Sequence, residues 1–167
     1  MTTLSKIGPK EFIFRVLSGV AVGIVAGLVP NAILGEIFKY LMQFHPIFKT
    51  LLGVVQAIQF TVPALVGALI ALKFNLTPLA MAVVASASYV GSGAAQFKNG
   101  TWVIAGIGDL INTMITASIA VLLILLIEHR VGSMALIVYP TIVGGISATI
   151  GVLILPYVHM ITTCLLY

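Results

Sequence analysis

Charged residues are scarce in this 167-residue sequence. Only 7% of the residues are Asp, Glu, Lys or Arg, whereas 60% are hydrophobic and the mean hydropathy is +1.21. A soluble domain carries about 25% charged residues, so water could not solvate the surface of this chain. The composition excludes a soluble globular domain and predicts an integral membrane protein that contacts the lipid bilayer.

Motifs for enzyme chemistry are also missing. Cys164 is the only cysteine, which excludes an intrachain disulfide. The sequence contains no Gly-x-Ser-x-Gly, His-Glu-x-x-His or Cys-x-x-Cys motif and no P-loop. His45, His129 and His159 each lie near the end of a predicted span, and no cluster of acids and histidines has the spacing of metal ligands. We therefore expect no metal, no other cofactor and no catalytic constellation within this chain.

The basic residues are too scattered for a nucleic-acid-binding patch, although the net charge is +4. They separate uncharged segments, as expected where a charge at mid-membrane costs at least about 2.5–3.5 kcal/mol. Cytoplasmic loops of membrane proteins carry more basic residues than the loops on the other side. By this rule, the chain is predicted to lie in the cell membrane with its N-terminus in the cytoplasm. In that orientation five basic residues lie inside, Lys6, Lys10, Arg15, Lys73 and Arg130, and three outside, Lys39, Lys49 and Lys98.

Long uncharged stretches predict an all-α integral membrane fold with about five transmembrane helices. Crossing the hydrocarbon core takes about 20 apolar residues, and each stretch has nearly that length or more. The stretches are residues 16–35, 50–72, 74–97, 110–127 and 131–167. After Pro30 and Asn31, residues 32–44 carry Glu36 and Lys39 on one side. This pattern predicts an interfacial amphipathic helix lying along the headgroups.

Glycine and proline divide these stretches further. Gly19, Gly23 and Gly27 share one face of the first helix and predict the close approach of another helix. The second stretch contains Pro63, which breaks the helical hydrogen-bond ladder. In residues 89–112, frequent glycine predicts a broken or re-entrant segment whose backbone is not helical, a feature tolerated within a membrane only when packed in protein or lining a polar cavity.

Capping residues and prolines also bound the later helices. Thr77 as N-cap and Pro78 at the first helical position predict the start of the third helix, and the last helix is predicted between Thr141 and Pro156.

The domain organisation has two interpretations. Residues 1–167 form a single transmembrane domain in either case. Gly19 and Pro30 recur with the same spacing as Gly145 and Pro156, which predicts a first repeat over about 1–130 and the start of a second over 131–167. Helix faces of small residues also predict contacts with further helices. These would come from a homo-oligomer or from a second half that completes the transmembrane fold.

Polar side chains within the apolar stretches are the candidate substrate-binding residues. Asp109 is the one acid predicted inside them, and an intramembrane carboxylate indicates a functional site. The alternative is that Asp109 caps the fourth helix after Gly106 and Gly108, and both roles are compatible. The amides and hydroxyls either bind sugar hydroxyls or join neighbouring helices. The six candidates are Asp109, Asn112, Gln56, Gln59, Ser92 and Gln96.

Three stretches carry a resemblance to a known family. They are residues 14–19 (FRVLSG), 27–35 (GLVPNAILG) and 106–114 (GIGDLINTM). The chain resembles the membrane component, enzyme IIC, of a bacterial phosphotransferase-system family, over what looks like the N-terminal half of such a protein. The resemblance implies transport of a sugar-like polar solute, with any sugar phosphorylation depending on soluble phosphotransferase-system partner proteins. The alternative function is a non-transporting membrane sensor, regulator or assembly subunit.

Overall fold

The computed structural model describes residues 7–166, with side chains up to residue 164. Helices dominate, and the one sheet in this range is a two-stranded antiparallel hairpin. A short 3-10 turn and a π-helical segment join the last helices. The elements are α1 (Pro9–Leu41), α2 (Ile47–Gln59), α3 (Val62–Lys73), α4 (Pro78–Gly91), β1 (Ala95–Lys98), β2 (Thr101–Ile104), α5 (Leu110–Val131), α6 (Ala135–Val138) and α7 (Gly145–Leu166).

By length and composition, the described helices provide fewer candidate membrane spans than the five predicted from the sequence. Among the described residues, two helical stretches are long and apolar enough to cross a bilayer, Pro9–Leu41 and Leu110–Cys164. The pair α2 and α3, bent by 44°, makes a third if it counts as one span. Helix α4 has 14 residues, fewer than the roughly 20 that a crossing needs. The helical membrane class is confirmed, but five transmembrane helices are not.

The predicted interfacial helix over residues 32–44 was wrong. Helix α1 continues through Pro30 and ends at Leu41, so residues 32–41 belong to the first helix and do not form a separate one. Proline removes one hydrogen bond inside a helix, and neighbouring contacts hold the helix together beyond it. The Asn31 side-chain amide donates to Gln59 Oε1 at 2.8 Å, and α2 packs against α1.

The predicted close approach on the first helix is confirmed. Gly19, Gly23 and Gly27 are buried against α3, which runs antiparallel to α1. A Cβ atom added at Gly23 would lie 2.7 Å from Val66 Cα, so only glycine lets the two backbones come this near. This contact joins α1 to α3 within the N-terminal half of the fold.

Helix α4 occupies the centre and packs against α3, α5 and α7. It begins as its sequence suggests, because Thr77 Oγ1 accepts a hydrogen bond from Ala80 N at 3.3 Å and Pro78 is the first helical residue. The turn before it uses Asn75 at φ 54°. Since α4 stops at Gly91, its C-terminal end lies inside the bundle beside α5 and α7, where the candidate site forms.

Candidate solute-binding site

The glycine-rich segment between α4 and α5 is not helical, as predicted. It leaves α4 through Gly93 at φ 75° and forms the hairpin of β1 and β2. Asn99 and Gly100 make the tight turn, both with positive φ. An Asn-Gly pair is a strong signal for such a turn, so the hairpin had a signal in the sequence although it was not predicted.

The two ends of this segment are tied together at its base. Ala105 N donates to Ala94 O at 2.8 Å, and Asp109 N donates to Ser92 O at 2.9 Å. Gly108, at φ 69°, lies so close to Ser92 that an added Cβ would come within 2.5 Å of Ser92 Oγ. The break is therefore an ordered structure that holds Ser92 next to Asp109.

An open cavity of about 610 Å³ lies between this base and helix α7. Backbone of the glycine-rich segment forms much of its wall, so peptide groups as well as side chains face the space. Four polar residues line it: Ser92, Gln96, Asp109 and His159. Its remaining lining residues are Gly93, Ala105, Gly106, Ile107, Gly108, Leu155 and Pro156.

Asp109 both caps α5 and borders the cavity. Its Oδ1 accepts from Asn112 N at 2.9 Å, which confirms the capping interpretation. Its Oδ2 accepts from the Thr162 hydroxyl at 3.2 Å and lies 4.0 Å from His159 Nδ1. The carboxylate is 7% exposed, whereas the His159 side chain is 75% exposed. The histidine is thus the more accessible member of the pair.

Asn112 lies behind the cavity rather than on its wall. Its side chain is fully buried, and Nδ2 donates to Gly91 O at 2.5 Å and to Gly151 O at 2.8 Å. The amide therefore links α4, α5 and α7 at one point. We call this point, formed by Gly91, Asn112, Thr116 and Gly151, the three-helix junction.

The two glutamines of the second stretch do not lie at the cavity. Gln59 accepts the hydrogen bond from Asn31, so it joins α2 to α1. Gln56 is exposed on α2, which packs against α1. Of the six predicted substrate-binding residues, the structure brings Ser92, Gln96 and Asp109 together around one cavity.

Sequence reasoning missed two residues beside the cavity. His159 lines it, and Thr162 donates to Asp109. They lie three residues apart on α7 and hence on one helix face, a spacing visible in the sequence. The helix had been expected to end near Pro156, but α7 continues through this proline to Leu166. Among the described residues, no group of three or more His, Cys, Asp or Glu side chains could hold a metal ion.

Long apolar helices packed through glycine faces, with an open polar-lined cavity beside a break in the helices, define a helical integral membrane protein. The family model described as "Phosphotransferase system, EIIC" matches residues 14–166. The chain belongs to this family, and the resemblance seen in its sequence is confirmed. Membership makes it a membrane transport component of the phosphotransferase system. The chain has no significant match among curated proteins and none among solved structures.

Proposed function

We propose that the protein carries a sugar-like solute across the cell membrane and that this solute binds in the cavity at the N-terminal end of α5. The observation that carries the proposal is the convergence of Ser92, Gln96 and Asp109 on one open cavity. Family membership supplies the transport class, and the cavity supplies a place of suitable chemistry for a hydroxylated ligand.

Hydroxyl groups of a neutral sugar need both donors and acceptors. The Asp109 carboxylate accepts hydrogen bonds, and the Gln96 amide donates and accepts. The Ser92 hydroxyl already donates to Tyr89 O and accepts from Ala94 N, so Ser92 contributes mainly by shaping the base of the cavity. His159 adds a fourth polar group on the α7 side. Because the Asp109 side chain is mostly buried, a ligand hydroxyl that reached Oδ2 would displace or share the Thr162 hydrogen bond.

Phosphorylation of the solute belongs to other proteins in this proposal. The family implies soluble phosphotransferase-system partners, and this chain carries no catalytic motif of its own. We place the N-terminus in the cytoplasm, because Arg15 lies at the same end of the bundle as Lys73, whose carbonyl it binds. We also propose that the open side of the cavity is completed by a second copy or a second half.

Binding measurements on the purified protein in lipid nanodiscs test the site. The probes are a panel of hexoses, hexitols and disaccharides, and calorimetry measures the binding of each. Asp109→Asn keeps a good helix cap but removes the charge, and Gln96→Leu removes an amide from the wall. We expect each to weaken binding of the active sugar at least about tenfold, the effect of roughly 1.4 kcal/mol.

Gln43→Leu is the matched control, since Gln43 is exposed beyond the end of α1 and away from the cavity. It should leave binding unchanged. Equal binding by the wild type, Asp109→Asn and Gln96→Leu would remove the site assignment. If the folded wild-type protein binds none of these sugars, the proposed sugar-like solute is wrong, whereas the transport class given by the family stands.

A further inference from the structure

The hairpin of β1 and β2 has one apolar and one mainly polar face. Residues on one strand alternate between faces, and the register pairs Phe97 with Trp102 and Ala95 with Ile104. The apolar face therefore consists of Ala95, Phe97, Trp102 and Ile104. The opposite face consists of Gln96, Lys98, Thr101 and Val103.

The apolar face is not covered by the rest of the described chain. Phe97, Trp102 and Ile104 are 62%, 66% and 61% exposed. The two rings pack on each other with centroids 5.4 Å apart. Gln96, on the other face, lines the cavity, so the aromatic pair faces away from it.

The hairpin backbone limits the depth at which it can lie. The sheet has two strands within the described residues, so each strand has an outer edge with unpaired N–H and C=O groups. Such groups are not tolerated in contact with lipid chains, because no water is available to bind them. The headgroup region supplies water, and there an apolar face can still dip toward the chains.

The position of the hairpin on α5 agrees with this depth. The helix carries no charge from Leu110 to Ile127, a length of roughly 27 Å, close to the about 30 Å of a hydrocarbon core. Asp109 and Glu128 then mark the two boundaries. The hairpin joins α5 at the Asp109 end through the bond from Asp109 N to Ser92 O.

We propose that the hairpin of β1 and β2 is a membrane-interface anchor, with Phe97, Trp102 and Ile104 inserted below the phospholipid headgroups and Lys98 near the phosphates. Tryptophan is enriched at this level, and a lysine there keeps its charged end at the headgroups while its aliphatic stem lies along apolar surface. The polar face is then turned toward water and the cavity. This proposal concerns a contact with lipid and holds whatever solute the cavity binds.

The sequence offers a direct probe, because Trp102 is the only tryptophan. The intact protein is placed in nanodiscs of phosphatidylcholine and phosphatidylglycerol, with bromine on the acyl chain either near the headgroup or near the methyl end. We expect the shallow bromine to remove most of the Trp102 emission, the deep bromine to remove less, and aqueous acrylamide to remove little. Val25 is exposed in the middle of α1. A variant with Val25→Trp and Trp102→Phe should therefore be quenched more by the deep bromine than by the shallow one.

Two neighbouring substitutions separate the faces. Ile104→Lys puts a charge on the apolar face and should shift Trp102 emission to longer wavelength and reduce quenching by lipid. Val103→Lys puts the same charge on the polar face and should leave both unchanged. Comparison of elution volumes checks that both variants remain folded, and the wild-type quenching pattern decides the proposal even if Ile104→Lys unfolds.

Three outcomes would overturn the anchor. Strong quenching by acrylamide with none by brominated lipid would place the hairpin in water. Strongest quenching by the deep bromine would make it a re-entrant element. Protection from both quenchers would mean that protein, such as a second copy of this chain, covers the aromatic pair.

Discussion

Two of the close helix contacts that glycine makes possible in this molecule have different surroundings. In the contact of α1 with α3, Gly19, Gly23 and Gly27 face aliphatic side chains. In the three-helix junction, Gly91 and Gly151 face each other and Thr116, with an added Cβ at Gly151 lying 2.8 Å from Gly91 Cα. The first contact is lined by apolar side chains, whereas the second contains hydroxyl and amide groups.

Unsatisfied polar atoms sharpen this difference. Among the described residues, three buried side-chain oxygens have no hydrogen-bond partner, those of Ser88, Asn112 and Ser147. They belong to α4, α5 and α7, the helices of the junction, and none belongs to α1 or α3. Buried polar groups without partners cost free energy. The contact of α1 with α3 is thus made by apolar groups, whereas the junction carries at its centre an amide with two hydrogen bonds and one unpartnered oxygen.

The largest expected effect comes from filling the apolar contact. Gly23→Val would force side-chain atoms against the Val66 backbone, and overpacking of this kind costs about 2–3 kcal/mol. The free energy of unfolding, measured by denaturing-detergent titration, should fall by that amount. Gly53→Val is the control, since an added Cβ there meets no atom within 4 Å, and it should change stability by less than about 0.5 kcal/mol. Equal effects would contradict the packing argument.

A smaller effect is expected at the three-helix junction. Asn112→Leu removes the two hydrogen bonds to Gly91 O and Gly151 O and leaves both carbonyls without this partner. We expect a loss of about 1–2 kcal/mol in the same unfolding titration. The exposed Gln43→Leu change serves as the reference. No loss at Asn112 would mean that the amide does not hold the junction together.

The cap of α5 should contribute less again. Asp109→Ala removes the acceptor for Asn112 N and should lower stability by about 1 kcal/mol. Asp109→Asn retains a capping oxygen and should lower the free energy of unfolding by only about 0.3 kcal/mol. Thermal melting in detergent distinguishes the two. If both variants lose stability equally, the charge of Asp109, rather than its cap, stabilises the fold.

The polar link beyond Pro30 should have the smallest effect. The hydrogen bond from Asn31 to Gln59 joins α1 to α2, and such bonds within membrane bundles average about 0.6 kcal/mol. A double-mutant cycle with Asn31→Ala, Gln59→Ala and the double variant measures this coupling free energy. A coupling near zero would show that packing alone holds the extended end of α1.

Local signals in the sequence predicted several features of the fold correctly. Thr77 before Pro78 predicted the start of α4, and the glycine spacing on the first helix predicted its close contact. Each depends on neighbouring residues of a single element, where capping and side-chain size decide the outcome. Asp109 as a helix cap belongs to the same group.

Predictions failed where distant contacts compete with local preference. Pro30 and Pro156 were expected to end helices, yet α1 and α7 continue through both. A proline costs roughly 3 kcal/mol inside a helix, and packing against neighbouring helices can offset that cost. In the same way, sequence spacing could not show that Asn112 points into the junction and Gln59 toward Asn31. The proposed internal repeat stays a prediction.

The unbroken length of α1 has a mechanical consequence. Its 33 residues form a helix about 50 Å long, while the hydrocarbon core of a bilayer is about 30 Å thick. Even a steep inclination of about 40° leaves it with a vertical reach of roughly 38 Å, so one end protrudes. Because Asn31 in the last third of α1 is hydrogen-bonded to Gln59, a displacement of this end of α1 would be transmitted to α2.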